Sequence, residues 1–290
     1  MALEAFYLPV LFLRILSYTE QSLNLKIKES PGTLMKKRKV CVLLILIVAV
    51  VLAVGWKRTD PEVRCTSARA IAENIAGQGM IRLVEQSMEH PKAALTFDDG
   101  PRASVTNRIL DSLGQYGGRA TFFMVGTNVP QNGEVIRRMV AQGCEVANHT
   151  NDHKYISKLG NEGIVSQVSA VNQKVAAACG VSPVVMRPPG GYIDAHSLSV
   201  LGSMGMPAIM WSIDTRDWQH RNAQKTINNV LSQVKDGDIV LMHDIYDATA
   251  DAAVALIPEL TARGYQLVTV SELAAARGGM AAGHKYSQFR

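Results

Sequence analysis

Leu95-Thr96-Phe97-Asp98-Asp99-Gly100-Pro101 is the stretch from which the rest of the chain can be read. The apolar run Ala93–Phe97 has the length and composition of a buried strand. It ends in two adjacent carboxylates, and Gly-Pro stops it at once. Asp, Gly and Pro favour turns for conformational reasons alone, so an acidic turn is one reading. The other begins from repulsion. Like charges this close resist ionising together, and a metal ion beside them relieves the conflict.

Outward from this stretch, from Pro91 on, short apolar or β-branched runs alternate with longer segments of helical period. Strands are expected near Ala93–Phe97, Ala120–Val125, Cys144–Asn148, Val184–Arg187, Ala208–Ile213, Ile239–His243 and Gln266–Val270. Helices are expected near Val105–Tyr116, Glu134–Gln142, Glu162–Ala178, Ala195–Met204, Gln224–Lys235 and Ala250–Arg263. Glycines 117, 143, 180, 205, 237 and 264 stand at the places where these helices should stop. Repeated strand–helix units imply a parallel sheet, because parallel neighbours need crossover helices. The expected fold class is therefore α/β. Seven units over about 185 residues suit a distorted or incomplete (β/α)7 barrel better than the eight-fold form, which takes about 250 residues.

In that topology chemistry gathers at the carboxyl ends of the strands. Asp98-Asp99 ends the first strand, and Asn148-His149-Thr150-Asn151-Asp152-His153 follows the third. Arg187-Pro188-Pro189-Gly190-Gly191 follows the fourth, Asp214-Thr215-Arg216-Asp217-Trp218 the fifth, and Leu241-Met242-His243-Asp244 the sixth. Five strand ends thus deliver acids, imidazoles or a guanidinium to one rim, which chance explains poorly. His149 and His153 lie four apart, so one helical turn would put both imidazoles on one side. With a carboxylate they make a two-His, one-Asp set that leaves metal positions open for water and substrate. Mixed N/O ligation suits zinc, and also cobalt, nickel, manganese or iron.

The formal net charge of +5 is unevenly placed. Residues 1–56 hold seven basic and three acidic residues, whereas residues 57–290 hold 23 and 22. The body therefore offers no basic face for nucleic acid. Lys36-Lys37-Arg38-Lys39 precedes an uncharged apolar run, Val40–Val54. This is the positive-inside pattern, and it makes residues 35–56 a membrane anchor or signal segment with the body on the far side. The anchored, extracytoplasmic form is favoured, with secretion the outcome if Ala53-Val54-Gly55 is cleaved. Residues 1–34 read as an upstream extension, with Met35 a candidate start. Residues 57–90 read as a lead-in, 91–275 as the catalytic domain and 276–290 as a tail. Cys41, Cys65, Cys144 and Cys179 show no paired spacing, and Cys144 and Cys179 read as small buried side chains.

Over residues 91–275 the chain resembles the polysaccharide deacetylases, carbohydrate esterase family 4 (the NodB homology domain). Thr96-Phe97-Asp98-Asp99-Gly100-Pro101 is similar to the family's first motif and His149-Thr150-Asn151-Asp152-His153 to the second. Arg187, Pro189 and Gly191 match the third, with Gly190 where the family usually carries an aromatic residue. Asp217-Trp218 matches the fourth and Leu241-Met242-His243 the fifth.

The resemblance implies roles. Asp99, His149 and His153 would hold a divalent metal, zinc first. Asp98 would be the general base and His243 the general acid that protonates the leaving amine. Arg187 would orient Asp98, and Asp217 would orient His243. Gly190 would offer its backbone N–H to the oxyanion, and Trp218 and Leu241 would frame the acetyl pocket. Tyr192, Trp211 and Tyr246 could stack on sugar rings, while Asp214, Arg216 and Asp244 have no assigned role. The implied activity is removal of N-acetyl groups from an N-acetylated polysaccharide, peptidoglycan first and chitin-like oligomers or exopolysaccharide second. A silent anchored glycan-binding module is the alternative of another class. No protein partner is expected.

Overall fold

A computed structural model describes residues 90–290. The extension 1–34, the basic and apolar segment 35–56, the lead-in up to residue 89, Cys41 and Cys65 all lie outside the described residues. Among the described residues no helix is long and apolar enough to cross a membrane.

The chain forms strands β1 (Lys92–Asp98), β2 (Thr121–Met124), β3 (Glu145–Asn148), β4 (Ala208–Ile209), β5 (Ile213–Asp214), β6 (Asp238–His243), β7 (Gln266–Leu267) and β8 (Lys285–Tyr286). The helices are α1 (Ala103–Tyr116), α2 (Gly133–Ala141), α3 (Asn161–Cys179), α4 (Ala195–Ser203), α5 (Asp217–His220), α6 (Ala223–Gln233), α7 (Asp247–Ala262) and α8 (Val270–Ala275). Every pairing between named strands is parallel, and the main sheet runs β3-β2-β1-β6-β5, with β7 joining the start of β1. Single parallel bridges carry the pairing on from Asn148 through Met186 to Ala208. The fold is α/β with a mostly parallel sheet.

β1 is buried along its whole length, as a central parallel strand must be. Its side chains alternate between two cores. Leu95 and Phe97 join Phe122 and Met124 against helices α1, α2 and α7. Ala94 points the other way and meets Phe123, Ala147, Val185, Ile209 and Ile239 from the other strands. The inner core thus collects residues from strands that are not neighbours in the sheet, so the sheet curls. At its upper end the inner layer turns polar: Thr96, Asp98 and Arg187 are buried there.

The six expected helices are present, and all six expected helix-ending glycines have positive φ. Three strands differ. The run expected over 184–187 pairs only through Met186, because Pro183 and Pro188 cannot donate to a ladder. The run expected over 208–213 is split into β4 and β5. The run expected over 266–270 stops at Leu267, because Thr269 and Glu272 cap one another and start α8. The segment expected as a tail packs onto the body. β8 pairs with β4, and Phe289 is buried in the inner core. Cys144 is buried, which pushes its thiol up to about 11, and Cys179 is half-buried.

Candidate active site

β1 and β6 are paired so that Asp98 stands opposite His243. The sheet register alone therefore brings the acid–imidazole pair to one rim. Asp99 follows in the left-handed region, with φ 70, which Asp tolerates better than most residues. The Asn128 amide donates to the Asp99 carbonyl at 2.8 Å and holds that turn. The turn separates the two carboxylates. Asp98 points into the inner layer, and Asp99 points toward the imidazoles.

Asp99 Oδ1 lies 3.4 Å from Nε2 of His149 and 3.2 Å from Nε2 of His153. One ligand atom from each of the three residues falls within 4.8 Å of the others. The His149 Nδ1 lies 2.8 Å from the Arg187 carbonyl oxygen. A carbonyl only accepts, so Nδ1 carries the proton and Nε2 turns its lone pair to Asp99. Asp99 Oδ1 is itself buried, with no hydrogen-bond donor among the described residues. The His149 lone pair, the His153 imidazole and a carboxylate oxygen thus converge, with no cationic side chain between them among the described residues, which is the donor arrangement of a divalent cation site. Burial alone would raise the Asp99 pKa, but the imidazoles of His149, His243 and His153, in their protonated forms, outweigh it and hold it at about 2. Burial and the neighbouring His149 push His153 below its usual value.

The two histidines do not share a helical turn, as their spacing suggested. Residues 149–153 form an irregular loop, with φ 61 at Thr150 and 59 at His153. Side chains hold this loop from both ends. Asn148 Oδ1 accepts from the Thr150 N–H at 2.9 Å, and Gln167 Oε1 on α3 accepts from the Asn151 N–H at 2.9 Å. Lys174 Nζ donates to Asn151 Oδ1 at 2.6 Å. Asn148 belongs to the strand-end run already noted, but Gln167 and Lys174 carried no motif signal. Their mark is polarity within α3, whose apolar stripe faces the core.

Arg187 is fully buried and uses its whole fork. Nη1 donates to Asp98 Oδ1 at 2.7 Å and to Thr96 Oγ1 at 2.8 Å, while Nε and Nη2 donate to the carbonyls of Ile209 and Met210. Its plane lies 4.1 Å from the Phe123 ring centre and 5.7 Å from that of Trp211. Trp211 is therefore packing around Arg187 and the inner core.

Across the rim, His243 Nδ1 pairs with Asp217 Oδ1 at 2.8 Å. Asp217 Oδ2 accepts from the His243 N–H and the Thr249 hydroxyl, which fixes the carboxylate. Burial alone would lower the His243 pKa. The Asp217 hydrogen bond and charge, with smaller help from Asp98 and Asp99, raise it to about 9. Burial pushes Asp217 up, but its bonds to His243 and Thr249 win, and its pKa falls.

Gly190 has φ 63, and a side chain there would meet the Tyr192 ring at 2.9 Å. The Tyr192 ring thus lies against Gly190, in space that a side chain at 190 would need. The loop's two turn bonds are donated by Gly191 and Tyr192, so neither uses the Gly190 N–H. Leu241 is buried on β6 opposite Thr96, and Trp218 is half-exposed beside Asp217. Tyr246 lies under Arg221, 4.6 Å from ring centre to guanidinium. Of the unassigned residues, Asp214 caps the Arg216 N–H at 2.9 Å. Asp244 is wholly buried against Gly100, accepts from the Thr106 hydroxyl at 2.6 Å, and is pushed up to about 7 chiefly by burial.

The sequence profile described as polysaccharide deacetylase matches residues 85–209. The chain is 42% identical over 180 residues to the peptidoglycan-N-acetylmuramic acid deacetylase PdaC of Bacillus subtilis, a match covering 62% of this chain and 38% of that protein. It spans well under half the length of that relative. It is 37% identical over 185 residues to a peptidoglycan-N-acetylglucosamine deacetylase of Bacillus cereus, covering 62% of this chain and 86% of that one. The solved structure of the Bacillus subtilis peptidoglycan deacetylase PdaC superposes with a TM-score of 0.63 at 39% identity, covering 66% of this chain and 93% of the other.

Proposed function

The chain belongs to the polysaccharide deacetylase family, carbohydrate esterase family 4, and we propose that it is a metal-dependent hydrolase that removes N-acetyl groups from a cell-envelope glycan. The observation that carries this reading is the convergence of Asp99, His149 and His153 beside two separately held acid–base groups. Asp99 Oδ1 has no donor among the described residues, and His149 presents its Nε2 lone pair, so the residues present fit a divalent cation. A divalent cation held there lowers the pKa of a bound water and polarises an acetyl carbonyl.

The chain's own groups then divide the proton work. Arg187 holds one Asp98 oxygen at 2.7 Å and leaves the other, on the His149 side, to take a proton from the attacking water. His243 has its Nδ1 committed to Asp217, so Nε2 is the atom that gives a proton to the departing amine. An amine leaves an amide poorly without that proton. The Gly190 N–H supports the oxyanion, and Trp218 and Leu241 frame the acetyl group.

Peptidoglycan is the leading polymer, at N-acetylglucosamine or N-acetylmuramic acid, which the named relatives support. Chitin-like oligomers or exopolysaccharide are the second choice, supported by similarity to chitooligosaccharide deacetylases. Zinc is the leading metal, with cobalt, nickel, manganese and iron as alternatives. The basic cluster Lys36–Lys39 and the apolar run Val40–Val54 support a membrane anchor or signal segment that places the body outside the cytoplasm. The silent-module reading is disfavoured because a binder needs neither a base nor an acid, and both are built in.

Acetate release from peptidoglycan and from chitin oligomers, with and without chelator, tests the reading. Release that stops with chelator and returns with a divalent metal is expected, with mass spectrometry locating the free amine. No release from any acetylated glycan with metals added would overturn it.

A further inference from the structure

Beyond the rim, the chain carries a cavity of ≈ 330 Å³ lined by His153, Lys154, Tyr155, Lys158 and Leu159. It shares His153 with the candidate metal site. It is a largely open depression on the surface rather than an enclosed pocket, with room for one sugar residue. Two exposed aromatic faces stand beside it. The Tyr155 ring centre is 4.9 Å from that of Tyr192 and 6.4 Å from that of His153. Together they make an aromatic path leading away from the metal ligand, and exposed tyrosines that fill no core are what a glycan stacks on.

The cavity is also basic. Lys154 is paired at the surface with Asp152, whose Oδ2 lies 3.0 Å away. Lys158 has no such partner. Among the described residues it makes no ion pair, and its Nζ sits over the Tyr155 ring, 5.4 Å from the centre. The turn that presents it is rigid: Ile156 is fully buried with Ile164, Val168 and Met186. An exposed cation over a ring on an anchored turn, lining this depression, is placed where an anion bound there would meet it. A neutral glycan makes no use of it.

We propose that this cavity binds a carboxylate carried by the glycan next to the sugar being deacetylated, with Lys158 as its counter-ion and Tyr155 and Tyr192 as the stacking faces. This deepens the deacetylase reading and rests on it. It makes the preferred substrate an anionic N-acetylated polysaccharide, such as strands that carry lactyl carboxylates, rather than a neutral chitin-like polymer.

The test compares three glycans of equal length on the metal-loaded protein: peptide-free peptidoglycan strands, the same strands with their carboxylates converted to neutral amides, and chitin oligomers. Binding is followed by calorimetry and turnover by acetate release. The wild type is expected to bind the carboxylate strands about tenfold more tightly than either neutral glycan. Lys158→Met should erase most of that ratio, and Lys158→Arg should restore it. Equal binding of charged and amidated strands by the wild type, with acetate still released, would overturn the proposal. So would a preference untouched in Lys158→Met. A preference for charged strands with no acetate released from any would overturn the deacetylase reading and leave the cavity's ligand standing.

Discussion

At the scale of single residues, Asp98 and Asp99 are adjacent in the chain yet do different work because Asp99 turns through a left-handed conformation. One carboxylate is clamped by a buried guanidinium, and the other faces two imidazoles. Asp98→Asn is therefore expected to lower kcat by about 10²–10⁴ while the protein keeps its metal, whereas His149→Ala should lose both. Elemental analysis beside an acetate assay separates the two, and an active Asp98→Asn would remove Asp98 from the base role. His243 must be protonated to act as an acid, and Asp217 is what raises its pKa to about 9. Asp217→Asn removes the counter-charge, so the alkaline limb of the kcat/KM profile should move from near pH 9 toward the ordinary imidazole value of 6.5. A limb that stays in place would mean that another group sets it. These residues were legible because each sits in a short contiguous motif at a strand end. Asp244 was not. Its role comes from burial against Gly100, a neighbour 144 positions away that only the β1–β6 pairing supplies.

At the scale of elements, the site depends on how strand ends are finished. A Cβ at Gly100 would come within 2.1 Å of Asp244 Oδ1. Gly100→Ala is thus expected to cost about 1–3 kcal/mol in urea unfolding through overpacking. Adding Asp244→Ala should recover most of that cost relative to Asp244→Ala alone, and a neutral Gly100→Ala would show that the contact relaxes freely. The helices were readable because each buries one apolar stripe against the sheet and many end at a glycine. The short strands were less so. Met186 pairs by isolated bridges between flanking prolines, and Val270 looks like a strand residue but follows a helix cap. The signal for that cap, Thr269 with Glu272 three residues on, was present in the sequence. The loop of His149 and His153 was misread as a helical turn because spacing four is common to both. What holds the loop is Asn148 below it and Gln167 and Lys174 on α3.

At the scale of the whole molecule, the C-terminal segment closes the body. Phe289 is buried, stacks on Tyr286 at 5.2 Å, and its backbone N–H donates to Gly237; Arg290 pairs with the buried Asp238. Phe289→Ala should lower stability by about 3–5 kcal/mol in chemical denaturation, and a loss below about 1 kcal/mol would make the segment peripheral. Residues 285–290 gave no signal in the sequence because a two-residue strand and one aromatic are too short for periodicity to register. By itself the sequence determined the alternation of strand and helix, the parallel topology this forces, and the five strand ends that gather the acids, imidazoles and guanidinium, since burial patterns and turn residues act locally. Only the tertiary structure decided which oxygen of which carboxylate meets which nitrogen, that Gly190 makes room for Tyr192, and that Lys158 lines a cavity with no ion-pair partner among the described residues. Those depend on strand register and loop packing, which join residues far apart in the chain.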